Sequence, residues 1–371
     1  VSASTLDTRG GAALPAHHRG LAARLAAAIA TPGGAVYVLA VLLLVLTVVA
    51  NPNFGEPRVL MNFLGRAAPI AIAAIGQYYV IVSGEFDLSM GAVIGTQVVL
   101  AGNLIGEDPD RIVPVTVLML LVGAGVGFVN GVVTTILKVP SFIVTLGTML
   151  ALGGLVSYIT GGAATGNPVD EFREVGRGRI EGVPVVEFVP YPVIILVVVA
   201  VAASWLMRRP FGRNLLAAGD NAPAAQRSGS SLWWLKTRAF MLASLAATVS
   251  GILLVGYAGV HPSVGDGYEF TAITAVVLGG VLLGGGRGWV LSAAAGAIAL
   301  ELLFTLLTVQ EIESTWRDTV QGLIIIAAVA VAARGWQAGR RPSLSSRSRT
   351  SATSSTPHPT PPVTGTNTGD T

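Results

Sequence analysis

The sequence predicts an all-α, polytopic transmembrane helix bundle, and three observations carry that prediction. Of 371 residues, 52% are hydrophobic and only 12% are charged, about half the charge of an ordinary soluble domain. Apolar stretches recur along the chain at the length a bilayer crossing needs, about 20 residues. Basic residues collect between and outside those stretches, not within them. The composition also excludes whole classes of chemistry. The chain has no cysteine, which removes disulfides, cysteine nucleophiles and thiolate metal sites. A net charge of +3 is too small to point to nucleic acid. Three of the four histidines (His17, His18, His358) fall in polar tails.

Residues 1–33 read as a cytoplasmic N-terminal segment without the compact apolar core and cleavage site of a signal peptide. Within it, 21–30 has the pattern of a short interfacial helix. Ten apolar stretches follow, at 34–50, 67–83, 88–105, 112–137, 141–160, 190–207, 237–260, 270–285, 288–309 and 318–333. Several are short or interrupted by glycine, so the range is eight to ten spans, and 34–337 forms one membrane domain. Arg238 and Asp318 sit at span ends, and Glu301 is the one charge well inside a span. Arg9, Arg19 and Arg24 precede the first span. Arg208, Arg209, Arg213, Arg227 and Lys236 lie in the connection 208–236, and Arg334, Arg340, Arg341, Arg347 and Arg349 follow the last span. Ten spans put these three basic segments on one side, which the positive-inside rule makes the cytoplasm. On the other side, Asp170, Glu171, Glu174, Glu181 and Glu187 outnumber the arginines of connection 161–189. Residues 338–371, rich in Ser, Thr and Pro, have too little apolar surface to fold and read as a disordered cytoplasmic tail.

No phosphate-binding G-x-x-x-x-G-K-[ST] occurs, and Gly284-Gly285-Gly286-Arg287-Gly288 lacks its lysine and spacing. There is no HExxH, paired-histidine or nucleophile-elbow motif, so the chain does not read as an enzyme. Polar groups within spans are the next candidates, since each is costly in lipid unless paired or wetted. They are Gln77, Gln97, Asn103, Asn130, Thr145, Thr148, Ser244 and Glu301, with Asp87 and Ser89 at a span boundary. Two readings stand side by side: hydrogen bonds between helices, or the lining of a hydrated path. Neutral donors and acceptors suit a sugar, whereas an ion-coupled carrier needs several buried carboxylates. Gly84–Gly91 reads as a tight turn in which Asp87 or Ser89 caps the next span. The sets Gly123/Gly127/Gly131 and Gly147/Gly153/Gly154 read as close helix packing. In the basic connection, Asp220 or Asn221 is placed to cap a short helix over Ala222–Arg227, with Pro223 in its first turn and Gly229 just past its end. His261, before Pro262, falls on an extracytoplasmic loop. Gly84-Glu85-Phe86-Asp87 and Gly267-Tyr268-Glu269-Phe270 echo each other, as two halves of inverted topology would.

Four stretches carry a resemblance covering roughly residues 57–333. Gly84-Glu85-Phe86-Asp87-Leu88-Ser89-Met90-Gly91 is the first. The second is Gly127-Phe128-Val129-Asn130-Gly131 with Pro140-Ser141-Phe142-Ile143-Val144-Thr145-Leu146-Gly147-Thr148-Met149. The third runs from Phe211-Gly212-Arg213 through Ala218-Gly219-Asp220-Asn221 to Ala225-Gln226-Arg227-Ser228-Gly229. Gly267–Phe270, Ala275–Gly280 and Gly285–Gly288 complete it. In this order the chain resembles the membrane permease subunit of bacterial ATP-binding cassette importers of the ribose, xylose and arabinose type.

The resemblance implies a multi-pass protein of the prokaryotic plasma membrane that imports a monosaccharide, a pentose or hexose. It implies as partners an extracytoplasmic sugar-binding protein, a cytoplasmic ATP-binding cassette subunit and a second permease copy or paralogue, with membrane lipid around this chain. No cofactor is bound by this chain; ATP and Mg belong to the partner ATPase. Gln77, Asp87, Ser89, Gln97, Asn130, Thr145, Thr148 and Glu301 are the expected path residues. Gly212, Arg213, Gly219, Asn221, Arg227 and Gly229 are expected to meet the ATPase. The Asp-Leu-Ser motif favours the sugar branch over the branched-chain amino acid branch, with nucleoside permeases a related alternative and an ion-coupled carrier a more distant one. Glu301-Leu302-Leu303-Phe304-Thr305 departs from the family, which often carries an N-N-G stretch in that span.

Overall fold

The structure, a computed structural model, describes residues 32–163, 166–313 and 315–339, with side chains as far as 327. The expected interfacial helix at 21–30 and the tail beyond 339 lie outside those residues. Ten helices occupy the ten predicted span positions. They are α1 (Pro32–Ala50), α2 (Pro57–Val82), α3 (Met90–Ile105), α4 (Ile112–Ile136), α5 (Ser141–Thr160), α7 (Tyr191–Arg208), α10 (Leu232–Ala258), α11 (Tyr268–Leu278), α12 (Val290–Val309) and α13 (Thr315–Gly339). Three short helices fall between them: α6 (Asp170–Arg177), α8 (Pro210–Asp220) and α9 (Ala222–Arg227). Among the described residues, seven helices are long and apolar enough to cross a membrane (α1, α2, α4, α5, α7, α10 and α12).

The two longest helices make the core. At a rise of about 1.5 Å per residue, α2 and α10, of 26 and 27 residues, each extend about 40 Å. They press together at Gly76, where a Cβ would come within 2.6 Å of Ala246 Cβ. Ser250 of α10 donates to the carbonyl of Pro69 at 2.8 Å. On its other face α10 meets the Gly123/Gly127/Gly131 stripe of α4, where added Cβ atoms would run into Thr248, Met241 and Thr237. The stripe is thus the close contact its spacing predicts. Gly147, Gly153 and Gly154 correct the parallel expectation for α5: an added Cβ would meet nothing within 4 Å at any of the three. A second cluster joins α1 to α12 through Val36, Leu43, Phe63, Ala299 and Leu302, with Phe54 stacked edge-on against Phe63 at 5.4 Å.

Three elements differ from the sequence expectation. The first long helix after α1 begins at Pro57, ten residues before the apolar stretch, because Pro57 fixes a helical first turn that holds Arg58, and Arg66 lies exposed on the helix surface. The stretch 270–285 is not one span: α11 stops after 11 residues at Leu278, where Gly279 and the left-handed Gly280 (φ +76°) begin an irregular segment running to Trp289. The acidic connection 161–189 is ordered as α6 and a two-stranded antiparallel hairpin, Arg179–Val183 with Glu187–Pro190. An Arg177–Asp170 ion pair of 2.8 Å steadies it, and Gly176 seats α6 on Leu253 and Gly256 of α10.

At the opposite end, the basic connection is almost wholly helical. Besides the predicted helix α9 it forms α8. Asn221, not Asp220, supplies the cap of α9, its Oδ1 accepting from Ala224 N at 3.0 Å, as an N-cap asparagine does. Three chain segments converge there without intervening side chains. Gly219 lies against the carbonyl of Val82 and the amide of Gly286. Gly286 N donates to Val82 O at 2.9 Å, and Gly285 (φ +82°) abuts Gly84 and Gly219. Contacts divide the chain after Ala332, and all of this packing belongs to the first unit.

Candidate functional site

Between α2 and α3 the helix breaks, and residues Ser83–Ser89 run through the bundle. Asp87 organises this segment: its Oδ1 accepts from Ser89 N at 2.8 Å and from Ser89 Oγ at 2.6 Å. Neither side chain caps α3 by a hydrogen bond to its amides, so the expected helix cap is replaced by a turn closed on Ser89. Asn130 of α4 donates from Nδ2 to Ser89 Oγ at 2.9 Å and accepts at Oδ1 from Thr148 of α5 at 2.6 Å. Thr145 accepts from Leu88 N at 3.0 Å, and Ser141 accepts from Phe86 N at 3.0 Å. The broken segment is therefore sewn to α4 and α5 by side chains that replace the lost helical partners of its amides. In a low-dielectric interior those bonds are each costly to lose. Asp87, Ser89, Asn130 and Thr145 are fully buried, and Asp87 Oδ2 has no partner among the described residues.

The structure thus joins five of the eight expected path residues, Asp87, Ser89, Asn130, Thr145 and Thr148, into one network. Gln97 lies two turns along α3 and donates to Met119 O and Thr248 Oγ1, both at 3.0 Å. Gln77 is buried in α2 with neither amide atom partnered among the described residues. Glu301 stands apart on α12, half-buried, in the field of Arg66 and Arg317. Arg317 itself donates to Thr308 at 2.8 Å.

None of the eight lines the cavity of about 350 Å³ that opens between α3, α5 and the chain entering α11. Its volume is in the usual range of about 300–1,000 Å³ for small-molecule sites. Helix neighbours of the expected residues face it instead, Thr96 next to Gln97 and Met149 next to Thr148, with Ser157, Ser263, Asp266 and Glu269. No lysine or arginine is among the lining residues. Glu269 comes close because Gly91 has no side chain: a Cβ on Gly91 would collide with the Glu269 carboxylate and with Gly265 O. The chain before α11 therefore packs on α3 at Gly91 and Gly95, with His261, Ser263 and Asp266 still exposed. His261 has a local task in it, its Nδ1 accepting from Ser263 N at 3.1 Å to cap the turn Pro262–Gly265. Glu269 was legible only through the echo of Gly84–Asp87 in Gly267–Phe270. Both segments open with a left-handed glycine, φ +84° at Gly84 and +83° at Gly267, and each leads into a helix of fewer than 18 residues.

The six residues expected at an ATPase contact all belong to the α8–α9 element. Arg213, Asn221 and Arg227 are exposed. Gly212 is buried against Met207, Gly219 sits at the three-segment junction, and Gly229 (φ +92°) turns the chain out of α9. Lys236, at the start of α10, pairs with Glu85 of the broken segment at 2.5 Å.

Comparison with known proteins gives concordant matches. Residues 59–329 match the family described as branched-chain amino acid transport system, permease component. The chain is 33% identical to the ribose import permease of Escherichia coli (strain K12) over 301 residues, 79% of this chain and 92% of the relative. It is 33% identical to the ribose import permease of Bacillus subtilis (strain 168), over 78% and 88% of the two chains. It is 31% identical to the autoinducer 2 import system permease of Escherichia coli (strain HS), over 77% and 82%. No solved structure gives a significant match.

Proposed function

The chain belongs to the family of permease components described for branched-chain amino acid transport systems, and on that premise we propose that it imports a monosaccharide, a pentose or hexose, as the membrane subunit of an ATP-binding cassette importer. The observation that carries this reading is the likeness to ribose import permeases over most of both chains. The cavity supports it. Hydroxyls of Thr96, Ser157 and Ser263 with the carboxylates of Asp266 and Glu269 offer donors and acceptors to a polyhydroxylated solute. The carboxylates repel an anion.

In this reading solute enters the cavity from an extracytoplasmic binding protein, and the Asp87–Ser89–Asn130–Thr148 network is the barrier on its far side. Ser89 lies about 10 Å along α3 from Thr96, at 1.5 Å per residue. The barrier belongs to the segment that begins at Gly84, against the α8–α9 junction. A cytoplasmic ATPase docked on α8–α9, through Arg213, Asn221 and Arg227, would move that junction, and a second copy or paralogue would complete the transporter. ATP and Mg bind to the ATPase; this chain supplies no group for them.

Two measurements test the proposal. Purification in mild detergent from the native membrane should yield a stoichiometric ATP-binding cassette subunit, lost on Arg227→Glu with Gly229→Val. Uptake of radiolabelled ribose should require that subunit and persist in the presence of a protonophore. Uptake that collapses with the protonophore and needs no ATPase would replace this reading with an ion-coupled carrier.

A further inference from the structure

We propose that the groove between α7 and α10 at the basic end is a binding site for an anionic phospholipid. The groove has a volume of about 260 Å³ and is lined by Leu206, Phe211, Met241, Leu242 and Leu245 with Arg238. Arg238, Met241, Leu242 and Leu245 follow one another at helical spacing, so they share one stripe of α10. Arg238 is six residues into that helix, about 9 Å from its start, and is exposed.

A cation near the end of a span attracts an anionic partner at headgroup level. No carboxylate is within ion-pair distance of Arg238 among the described residues. Its guanidinium instead lies over the ring of Trp234, 4.7 Å from the centroid. The end of α7 that supplies Leu206 repeats the arrangement, with Arg209 over Trp205 at 4.4 Å. Arginine stacked on an interfacial tryptophan keeps its outer N–H groups free for a phosphate. The apolar stripe below suits an acyl chain, so headgroup and tail are met in the order a lipid presents them. Basic pockets between helices near the headgroup level bind acidic lipids for this reason.

The test uses the full chain, delipidated in detergent, with phosphatidylglycerol and phosphatidylcholine as probes. Native mass spectrometry should show phosphatidylglycerol retained, and thermal unfolding should shift upward with phosphatidylglycerol and not with phosphatidylcholine. Arg238→Gln should weaken the apparent affinity about fivefold, the worth of one basic residue near an anionic surface. Arg287→Gln, an exposed arginine outside the groove, should leave it unchanged. Leu242→Trp, which fills the groove and keeps every cation, should abolish the shift, so the result does not depend on the folding of one variant. Equal protection by phosphatidylcholine or inorganic phosphate, an unaltered response in Arg238→Gln, or a second copy cross-linking through Leu242 would overturn the proposal.

Discussion

Lys236 and Glu85 form an ion pair of 2.5 Å that joins the first turn of α10 to the segment where α2 ends. Their side chains are 15% and 18% exposed, so the pair is largely withdrawn from water at the point where the basic end meets the broken segment. Removing either partner strands the other. Glu85→Gln or Lys236→Met should each cost about 1.5–3 kcal/mol, as for a charged hydrogen bond, read as a lower unfolding temperature in detergent. The double variant should cost less than the sum, and the reversal Glu85→Lys with Lys236→Glu should recover part of the loss.

Asn130 is the shared node of the buried network, bonded to Ser89 and to Thr148. Asn130→Leu removes both bonds and leaves the Asp87–Ser89 turn without its tie to α4. About 1–3 kcal/mol of stability should be lost. If the network is the barrier, ATP-independent leak of ribose into proteoliposomes should rise. A stable Asn130→Leu protein with no leak would make the network a structural bond only.

Glycines of α4 and α5 should respond oppositely. Gly127→Ala drives a Cβ into the backbone of Phe240 and Met241, which cannot rotate away, so α4 and α10 must separate at about 1–3 kcal/mol. Gly153→Ala meets nothing within 4 Å and should gain about 0.5–1 kcal/mol from reduced backbone entropy. Thermal melts of the two variants would show the contrast directly.

Glu269→Gln tests the cavity. It removes the negative charge beside Gly91 while keeping the side chain's length, so binding of ribose should weaken by severalfold with the melting temperature little changed. Glu301→Gln should do the reverse, sparing solute choice while leaving the melting temperature unchanged or slightly raised, because the field of Arg317 and Arg66 only partly offsets the burial of the charge. Changed selectivity in Glu301→Gln would place α12 on the path.

The order of the helices was legible in the sequence because each is a run of apolar residues bounded by charge, proline or glycine. What lay beyond reach was depth and facing. The run 270–285 looks continuous by hydropathy, yet the backbone breaks at Gly279 and Gly280, and hydropathy does not distinguish a helix from an irregular segment buried by neighbours. The α4 glycines were legible and the α5 glycines were not, since both sets have helical spacing and only the presence of α10 opposite one of them separates the cases. The polar residues were found as a class. Thr96 faces the cavity while Gln97 bonds Thr248, a difference of one residue, or 100° around the helix, that no composition argument assigns. Glu269 needed the chain before α11 to pack on α3.

At Gly219, Gly285 and Gly84 three backbones touch without a side chain among them. Such a meeting point has no rotamers to adjust: it is set by peptide groups in contact and by the bond from Gly286 N to Val82 O. If a partner pushes on α8–α9, the displacement would reach the segment carrying Asp87 through backbone alone, and a side chain at Gly219 or Gly285 would act there as a wedge. The freedom to vary that a surface connection normally enjoys is denied at these few positions, at Gly219 and Gly285 by the neighbouring backbone and at Gly84 by its left-handed φ of +84°.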